Sequence, residues 1–290
     1  MKTTFHFIQE QLRDFYSDAE IKSFCYLIME FVCGMNKSSV LRCKDKQLSL
    51  NECLRIQEII LELKKYCPIQ YILGETEFYG LKFKVDANVL IPRPETEELV
   101  EWVIKKEAPP PGLHQKKRGE YRILDIGTGS GCIAVALAKH LPEAEVFALD
   151  ISEKALDVAR QNAIRNQVDV NFFQHDILTD EPFPFSFLAF DCIVSNPPYI
   201  TLKEKAEMGK NVLSYEPHQA LFVPWDNPLI FYERIANFAR NRLKETGSLY
   251  FETSSLHGSA SAKVLEDKKF RSVKLLKDIS GNDRIIIAKL

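Results

Sequence analysis

Apolar residues recur with a helical period through the first 67 residues of the chain. Apolar positions at i, i+3, i+4 and i+7 are typical of amphipathic helices that pack in a bundle. Ser49 followed by Glu52 has the spacing of a capping box just before the second of two such stripes. The pattern predicts a small helical domain over residues 1–67. The two stripes consist of Ile21, Phe24, Cys25, Ile28, Phe31 and Val32, and of Ile56, Ile59, Ile60 and Leu63.

The pattern changes at residue 68. Aromatic and β-branched residues around Gly74 and Gly80 predict a β-hairpin, which would link two halves of the chain over residues 68–90. A helix is expected after Pro94. The proline-containing, basic stretch 108–119 is expected to be a solvated loop.

Short apolar runs alternate with amphipathic segments from residue 121 onward. This alternation is typical of a mainly parallel sheet with helices on both faces. The predicted strands are 121–126, 145–149, 169–173, 189–195, 247–252, 270–276 and 284–289, and the predicted helices are 130–140, 152–165, 228–243 and 257–268. The fold class is therefore α/β, with a doubly wound, Rossmann-like, seven-stranded sheet in a domain over residues 91–290.

Composition and charge restrict the classes of function. The formal net charge of −2 gives no general attraction to nucleic acid or to anionic membranes, and no apolar run is long enough to cross a bilayer. The seven cysteines are odd in number, without a C-x-x-C pair, and the six histidines are scattered singly. We therefore expect a cytoplasmic protein without a metal, a membrane anchor or a secretion signal.

A glycine-rich loop directly follows the strand 121–126. Glycine permits a tight turn and lets backbone N–H groups approach a ligand closely. The spacing is G-x-G-x-G after an acidic residue, not the G-x-G-x-x-G of dinucleotide-binding dehydrogenases, because position 132 is cysteine. The predicted cofactor-binding residues of this loop are Gly127, Thr128, Gly129, Ser130 and Gly131.

Acidic residues end the next two predicted strands. Asp150 lies 23 residues beyond Gly127, where a carboxylate can accept hydrogen bonds from ribose hydroxyls. Asp176 is placed to meet an adenine amino group, with Ile177 against the ring. Each aspartate alone could be a helix cap or a turn residue. On successive strand ends beside the glycine loop, they predict a nucleoside-type cofactor.

The predicted strand 189–195 ends in Asn196-Pro197-Pro198-Tyr199. Such proline dipeptides also occur in ordinary loops. Beside a cofactor crevice, however, the Asn196 side-chain carbonyl and the Pro197 backbone carbonyl could accept hydrogen bonds from a planar NH2 group. Proline fixes these carbonyls in place, and Tyr199 offers a flat face for stacking. We predict Asn196, Pro197 and Tyr199 as catalytic residues and all four as substrate-binding. Asn196 is also predicted to bind the cofactor.

Several stretches resemble the release-factor glutamine N5-methyltransferases (the HemK/PrmC family). Asn196–Tyr199 matches the catalytic loop of that family, and Gly127–Gly131 matches the loop that wraps the amino-acid end of S-adenosylmethionine. Further similar stretches are Pro68–Gly74, Ile91–Glu97, Ser214–Pro217 and Asp278–Arg284.

The resemblance implies the class I fold of methyltransferases that use S-adenosylmethionine and release S-adenosylhomocysteine. The implied reaction methylates the side-chain amide nitrogen (N5) of glutamine in the Gly-Gly-Gln loop of peptide chain release factors 1 and 2. It also implies a monomer whose N-terminal helices help to dock the release factor. The stretch 252–255 departs from the family pattern, so the sequence assigns no catalytic role to Glu252.

Other functions remain open at this point. A methyltransferase acting on exocyclic amino groups of DNA or RNA bases would face the same planar NH2 group, and would be expected to carry a basic face or a recognition domain. An oxidoreductase or a nonenzymatic nucleotide-binding regulator could share the fold. The glycine spacing and the Asn196–Tyr199 loop count against both. A release-factor methyltransferase without stable nucleic-acid binding is the favoured hypothesis.

Overall fold

Capped amphipathic helices form the N-terminal part of the protein. The computed structural model describes residues 2–42, 47–107, 119–184, 189–201 and 203–290. Ser17 and Ser49 each form a capping box with the glutamate three residues later, which confirms the predicted box at Ser49. Apolar faces of these helices pack into one core. The helices are α1 (Lys2–Leu12), α2 (Asp18–Cys33), α3 (Lys37–Arg42), α4 (Leu50–Leu63) and α5 (Ile69–Leu73).

The chain divides into two compact units. The helical unit comprises Met1–Gly74 together with Gly209–Tyr215, and the larger unit comprises Glu75–Met208 and Glu216–Leu290. Within the helical unit, the hydroxyl of Tyr215 donates a hydrogen bond to the carbonyl of Lys65 at 2.9 Å. A short segment from late in the chain therefore belongs to the N-terminal unit, which the sequence did not predict.

A β-hairpin opens the larger unit, with β1 at Glu75–Phe78 and β2 at Leu81–Lys84. The hairpin is shorter than the predicted range 68–90, because α5 occupies the first part of that range. Ile69 is buried in the helical core, and the helix ends where Gly74 takes a left-handed conformation with φ 74°.

The larger unit is built around the predicted seven-stranded sheet. Its strand order is β10-β11-β9-β6-β3-β4-β5, with β11 antiparallel to both neighbours and the other pairs parallel. The sheet strands are β3 (Tyr121–Ile126), β4 (Ala144–Asp150), β5 (Asn171–Gln174), β6 (Phe190–Ser195), β9 (Leu243–Glu252), β10 (Arg271–Lys277) and β11 (Asp283–Lys289). Each predicted strand has a counterpart, and the largest shift is at β9, which begins at Leu243.

Helices cover both faces of this sheet, and an apolar core lies on each side. The buried runs of β3, β6 and β9 separate the two cores. The helices of the larger unit are α6 (Pro94–Glu107), α7 (Cys132–His140), α8 (Glu153–Asn166), α10 (His218–Leu221), α11 (Ile230–Arg242) and α12 (Gly258–Asp267). A small parallel pair, β7 (Ile200–Thr201) and β8 (Phe222–Val223), lies after the Asn196 loop, and α9 (Lys210–Tyr215) is part of the helical unit.

The predicted solvated loop 108–119 falls almost wholly outside the described residues. Across the parts of the chain that the structure describes, every helix is too short or too polar to cross a bilayer.

Candidate active site

A cavity of ≈ 330 Å³ opens at the carboxyl edge of the sheet. The strands β3, β4 and β6 are parallel neighbours, so their carboxyl ends and the loops that follow meet at this edge. Ligand pockets in proteins begin at about this size. The predicted site residues that line the cavity are Gly127, Gly129, Asp150, Asp176, Ile177, Asn196, Pro197 and Pro198.

The glycine loop turns tightly at the end of β3. Gly127 and Gly129 adopt φ values of 73° and 54°, a region that side chains other than glycine rarely enter. The N–H groups of Gly127 and Thr128 both donate to the carbonyl of Leu149 at 2.9 Å, which ties the loop to β4. The N–H of Gly129 donates to the carboxylate of Asp150 at 2.8 Å. The loop is held by its own backbone and by the neighbouring strand end.

The other predicted residues of this loop, Thr128, Ser130 and Gly131, contribute to the conformation of the turn. Within the described ranges, Thr128, Ser130 and Gly131 are not among the residues that line the cavity. Thr128 is buried and donates its hydroxyl proton to Asp125 at 2.6 Å. Gly131 begins α7, and a Cβ atom there would lie 2.9 Å from the Cβ of Ala159. These residues shape the turn, and their assignment as cofactor contacts stays a prediction.

Asp150 ends β4 with its carboxylate at the cavity. One oxygen accepts from Gly129 and the other accepts from the N–H of Ser152 at 2.9 Å. Burial raises the pKa of Asp150 above its usual range, while these backbone donors lower it. An ionised carboxylate has about four acceptor positions, so Asp150 retains capacity for the hydroxyls of a sugar.

Asp176 and Ile177 follow β5 and line the far side of the cavity. One carboxylate oxygen of Asp176 accepts from the N–H of Leu178 at 2.8 Å, which fixes the turn. Ile177 packs against the core and presents an aliphatic surface. His175 also lines this end, although the sequence did not indicate it. This end of the cavity combines an apolar surface with a few polar groups.

Asp125 is fully buried one residue before the end of β3. Its Oδ2 accepts from the hydroxyl of Thr128 and from the N–H of Ala134 at 3.2 Å. Among the described residues, its Oδ1 has no hydrogen-bond partner. Burial raises the pKa of Asp125 to about 7. Asp125 therefore lies behind the glycine turn, and in the described part of the chain it is not among the residues that line the cavity.

The Asn196 loop leaves β6 between β3 and β9. The buried hydroxyl of Ser195 donates to the carbonyl of Ile126 at 2.7 Å, which anchors the start of the loop to β3. The side-chain N–H of Asn196 donates to the hydroxyl oxygen of Thr96 at 3.2 Å. Pro197 and Pro198 continue the cavity wall. A planar group in the cavity could therefore meet the carbonyl groups of Asn196 and Pro197.

Tyr199 is placed differently from its three neighbours. It is half-buried and packs against the core that contains Tyr232, and in the described part of the chain it is not among the cavity-lining residues. Burial raises its pKa to about 12, so the phenol is neutral at ordinary pH. Its stacking on a substrate stays a prediction.

The structure brings together residues that the sequence analysis did not single out. Thr96, in the first turn of α6, donates its hydroxyl proton to the carboxylate of Glu252 at 2.7 Å, and both side chains are buried. Arg93 donates to Glu216 at 2.7 Å, and the N–H of Ile91 donates to the same carboxylate at 3.3 Å. Thr96 and Arg93 lie in the Ile91–Glu97 stretch, so a motif was visible in the sequence but its contacts were not.

In the described part of the chain, potential metal ligands do not cluster at this site. Over the ranges that the structure describes, no group of three or more His, Cys, Asp or Glu side chains could hold a metal ion.

Comparison with known proteins identifies the family. A family model described as "Methyltransferase small domain" matches residues 113–218, and one described as "PrmC N-terminal domain" matches residues 5–74. The chain is 47% identical, over 96% of its length and 94% of the relative, to a release factor glutamine methyltransferase of Flavobacterium psychrophilum. A relative with the same name from Bacteroides thetaiotaomicron is 43% identical over 97% of both chains. The chain belongs to the release factor glutamine methyltransferase family.

A solved methyltransferase structure has a similar fold. The chain matches the human methyltransferase 10 domain containing protein with a TM-score of 0.51 and 17% identity, over 82% of this chain and 96% of that one. This likeness concerns the fold alone. The larger unit of this protein has the predicted class I methyltransferase fold. Its seven-stranded sheet is mainly parallel.

Proposed function

We propose that this protein transfers the methyl group of S-adenosylmethionine to the N5 amide nitrogen of a glutamine in the Gly-Gly-Gln loop of peptide chain release factors 1 and 2. One observation carries the proposal. Asn196 and Pro197 line the same cavity as Gly127, Gly129 and Asp150, so an amide held by the first pair lies beside a cofactor held by the others.

The cavity residues fit S-adenosylmethionine. Asp150 has acceptor capacity for the ribose hydroxyls, and Asp176 with Ile177 suits an adenine ring and its amino group. The glycine loop at Gly127 and Gly129 suits the amino-acid end. The bound cofactor supplies a sulfonium methyl group, which leaves as an electrophile and yields neutral S-adenosylhomocysteine.

The acceptor residues address the weak nucleophilicity of an amide. The lone pair of an amide nitrogen is delocalised into its carbonyl group. As the nitrogen forms its bond to the methyl carbon, it loses planarity and gains positive charge. Carbonyl oxygens of Asn196 and Pro197 would hold both N–H groups and stabilise that charge. The methylated nitrogen then releases a proton to solvent, so a strong base is unnecessary. Pre-positioning of nitrogen and methyl carbon supplies further rate acceleration.

We assign recognition of the release factor to the helical unit. Helix α4 exposes three leucines at i, i+4 and i+11 spacing, which places them on one face of the helix. Leu50, Leu54 and Leu61 are 75%, 49% and 59% exposed. An exposed apolar face supports contact with another protein. Replacing Leu50 and Leu54 with serine should raise the KM for release factor while leaving S-adenosylhomocysteine binding unchanged. A KM for release factor equal to that of the wild type would contradict this assignment.

The proposed substrate acts in translation, so we place the protein in the cytoplasm.

A methyl-transfer assay tests the proposed reaction. Purified enzyme is given radiolabelled S-adenosylmethionine with release factor, with release factor in which the loop glutamine is replaced, or with DNA and RNA. We expect label only in the unaltered release factor. Label confined to nucleic acid would favour a base methyltransferase, and equal labelling of the glutamine-substituted factor would place the methyl group elsewhere.

A further inference from the structure

Asn196, which is partly exposed at the cavity, is linked by hydrogen bonds to two buried side chains from two other elements. Its side-chain N–H donates to Oγ1 of Thr96 at 3.2 Å, and Thr96 donates to Oε2 of Glu252 at 2.7 Å. These residues lie on the loop after β6, on α6 and at the end of β9. Thr96 and Glu252 are 2% and 1% exposed, so the bond between them is shielded from water.

The protons available on Asn196, Thr96 and Glu252 fix the direction of each hydrogen bond between them. An ionised carboxylate can only accept, so the single proton of the Thr96 hydroxyl must go to Glu252. The Thr96 oxygen is then left to accept, and the Asn196 amide must turn its NH2 toward it. A flipped amide would place two acceptor oxygens against each other. The two ends of an amide are hard to distinguish by shape, and here the hydrogen-bond network distinguishes them.

Protonation of Glu252 would change the direction of these bonds. A neutral carboxyl group can donate to Thr96, which frees the threonine hydroxyl to donate to the amide oxygen. Both orientations of Asn196 then become possible. In the flipped orientation, an NH2 group faces the NH2 of the acceptor amide, and the stabilising carbonyl is lost.

We propose that Thr96, backed by the carboxylate of Glu252, is a positioning residue that keeps the Asn196 carbonyl oxygen directed at the acceptor nitrogen. The inference rests on the proposed function, since it concerns the acceptor side of the same site. It gives Glu252 a role that the sequence did not assign, through Thr96 and not by contact with substrate.

Opposing interactions act on the pKa of Glu252. Burial raises its pKa to about 7, while the bond from Thr96 and the charge of Arg284 lower it. The charged and titratable groups that interact with it are Arg284 on β11, Arg93 and Glu95 at the start of α6, Tyr199 after β6, Tyr232 on α11 and Cys132 on α7. The orientation of Asn196 is therefore expected to depend on pH near neutrality.

The test compares four variants with the wild type in methyl transfer to release factor at saturating S-adenosylmethionine. Thr96→Val removes the hydroxyl at nearly constant volume, Thr96→Ser keeps it, and Glu252→Gln removes the charge. Ser248→Ala removes another buried hydroxyl from β9, four residues before Glu252. For each, kcat, KM, S-adenosylhomocysteine affinity and the pH profile of kcat are measured.

We expect Thr96→Val to lower kcat by ~10- to 100-fold, the range found for groups that orient an active-site ligand. Thr96→Ser should restore most of kcat, and Ser248→Ala should match the wild type. S-adenosylhomocysteine affinity should be unchanged throughout. Wild-type kcat should rise with pH as Glu252 ionises, and Glu252→Gln should lack that rise.

Three results would overturn the positioning role while the wild type is active. These are an unchanged kcat in Thr96→Val, a loss that Thr96→Ser does not restore, and an unaltered pH profile in Glu252→Gln. The last comparison decides the matter if Thr96→Val does not fold. A wild type that binds S-adenosylhomocysteine but transfers no methyl group to release factor overturns the proposed function, and the positioning role with it.

Discussion

Two buried carboxyl groups lie on either side of β6, the strand that precedes Asn196, and they have different hydrogen-bond partners. Asp125 is on β3 and Glu252 ends β9, with β6 between them in the sheet. Burial raises the pKa of each to about 7. Asp125 is bonded by Thr128 and by the N–H of Ala134, three and nine residues away. Glu252 is bonded by Thr96, 156 residues away.

This difference separates the two halves of the site. The cofactor half is built from the strand–loop–helix segment β3–α7 and from the ends of the next two strands along the chain, at Asp150 and at Asp176 with Ile177. The acceptor half depends on side chains from three distant segments, which meet only when the whole larger unit is folded. We therefore expect changes in the acceptor half to act on turnover and changes in the cofactor half to act on cofactor affinity.

The largest expected effect is that of Asn196→Ala. Removing a group that stabilises charge in a transition state costs ~10²- to 10³-fold in kcat. The variant should keep its S-adenosylhomocysteine affinity, because Gly127, Gly129 and Asp150 are untouched. Methyl transfer to release factor and thermal stabilisation by S-adenosylhomocysteine measure the two quantities. Near-normal turnover would show that Asn196 is not the acceptor of the substrate N–H groups.

Asp150→Ala is the converse change in the cofactor half. Loss of hydrogen bonds to a charged acceptor should weaken S-adenosylhomocysteine binding by ~10- to 100-fold for each bond lost, since each such bond contributes about 1.5–3 kcal/mol. Isothermal titration measures this affinity directly. Turnover should recover at high S-adenosylmethionine concentration. A kcat that stays low at saturation would mean that the two halves are not separable.

The same contrast explains how much of the fold and site could be predicted from the sequence. The strands and the parallel sheet depend on periodicity, and their prediction was confirmed. The glycine loop forms a tight turn, as its residues indicate, while its binding of a cofactor stays a prediction. The chain of bonds from Asn196 through Thr96 to Glu252 depends on packing between β6, α6 and β9, and local pattern contains no information on it. The assignment of Gly209–Tyr215 to the helical unit is a tertiary contact of the same kind.

Helix α5 gives a smaller example within the linker. Aromatic and β-branched residues predicted a hairpin from residue 68, but Ile69–Leu73 is helical. Burial of Ile69 among the N-terminal helices outweighs the weak strand preference of that stretch. The hairpin itself was predicted, since Gly80 supplies the positive φ that its turn requires.

The pH dependence of stability compares the two carboxyl groups directly. Burial raises the pKa of Glu252 above its unfolded value, so its contribution to the unfolding free energy is fully present below pH ~4.5 and is lost as pH rises through about 7. Glu252→Gln cannot ionise, so its unfolding free energy should fall less over this range, by up to ~3 kcal/mol. Asp125→Asn should behave alike, because burial is the main cause at both sites.

Urea unfolding at several pH values measures these differences. Parallel slopes for wild type and Glu252→Gln would mean that Glu252 is not protonated near neutrality in the folded protein. A flattened slope in only one variant would show that the local or distant origin of the bonding partners affects ionisation, and would extend the comparison from geometry to electrostatics.

The smallest effect tests how closely the cofactor loop is packed. In Gly131→Ala the added Cβ would meet Ala159 at 2.9 Å, at a residue whose φ is 80°. Overpacking and backbone strain together should lower the unfolding free energy by ~2 kcal/mol. Gly281→Ala is the matched control, since its φ is 84° but nothing lies within 4 Å of the added atom. It should lose only the strain, ~1 kcal/mol. Equal losses in urea unfolding would mean that the turn before α7 can shift to accommodate a side chain, and that Gly131 is needed for its backbone conformation alone.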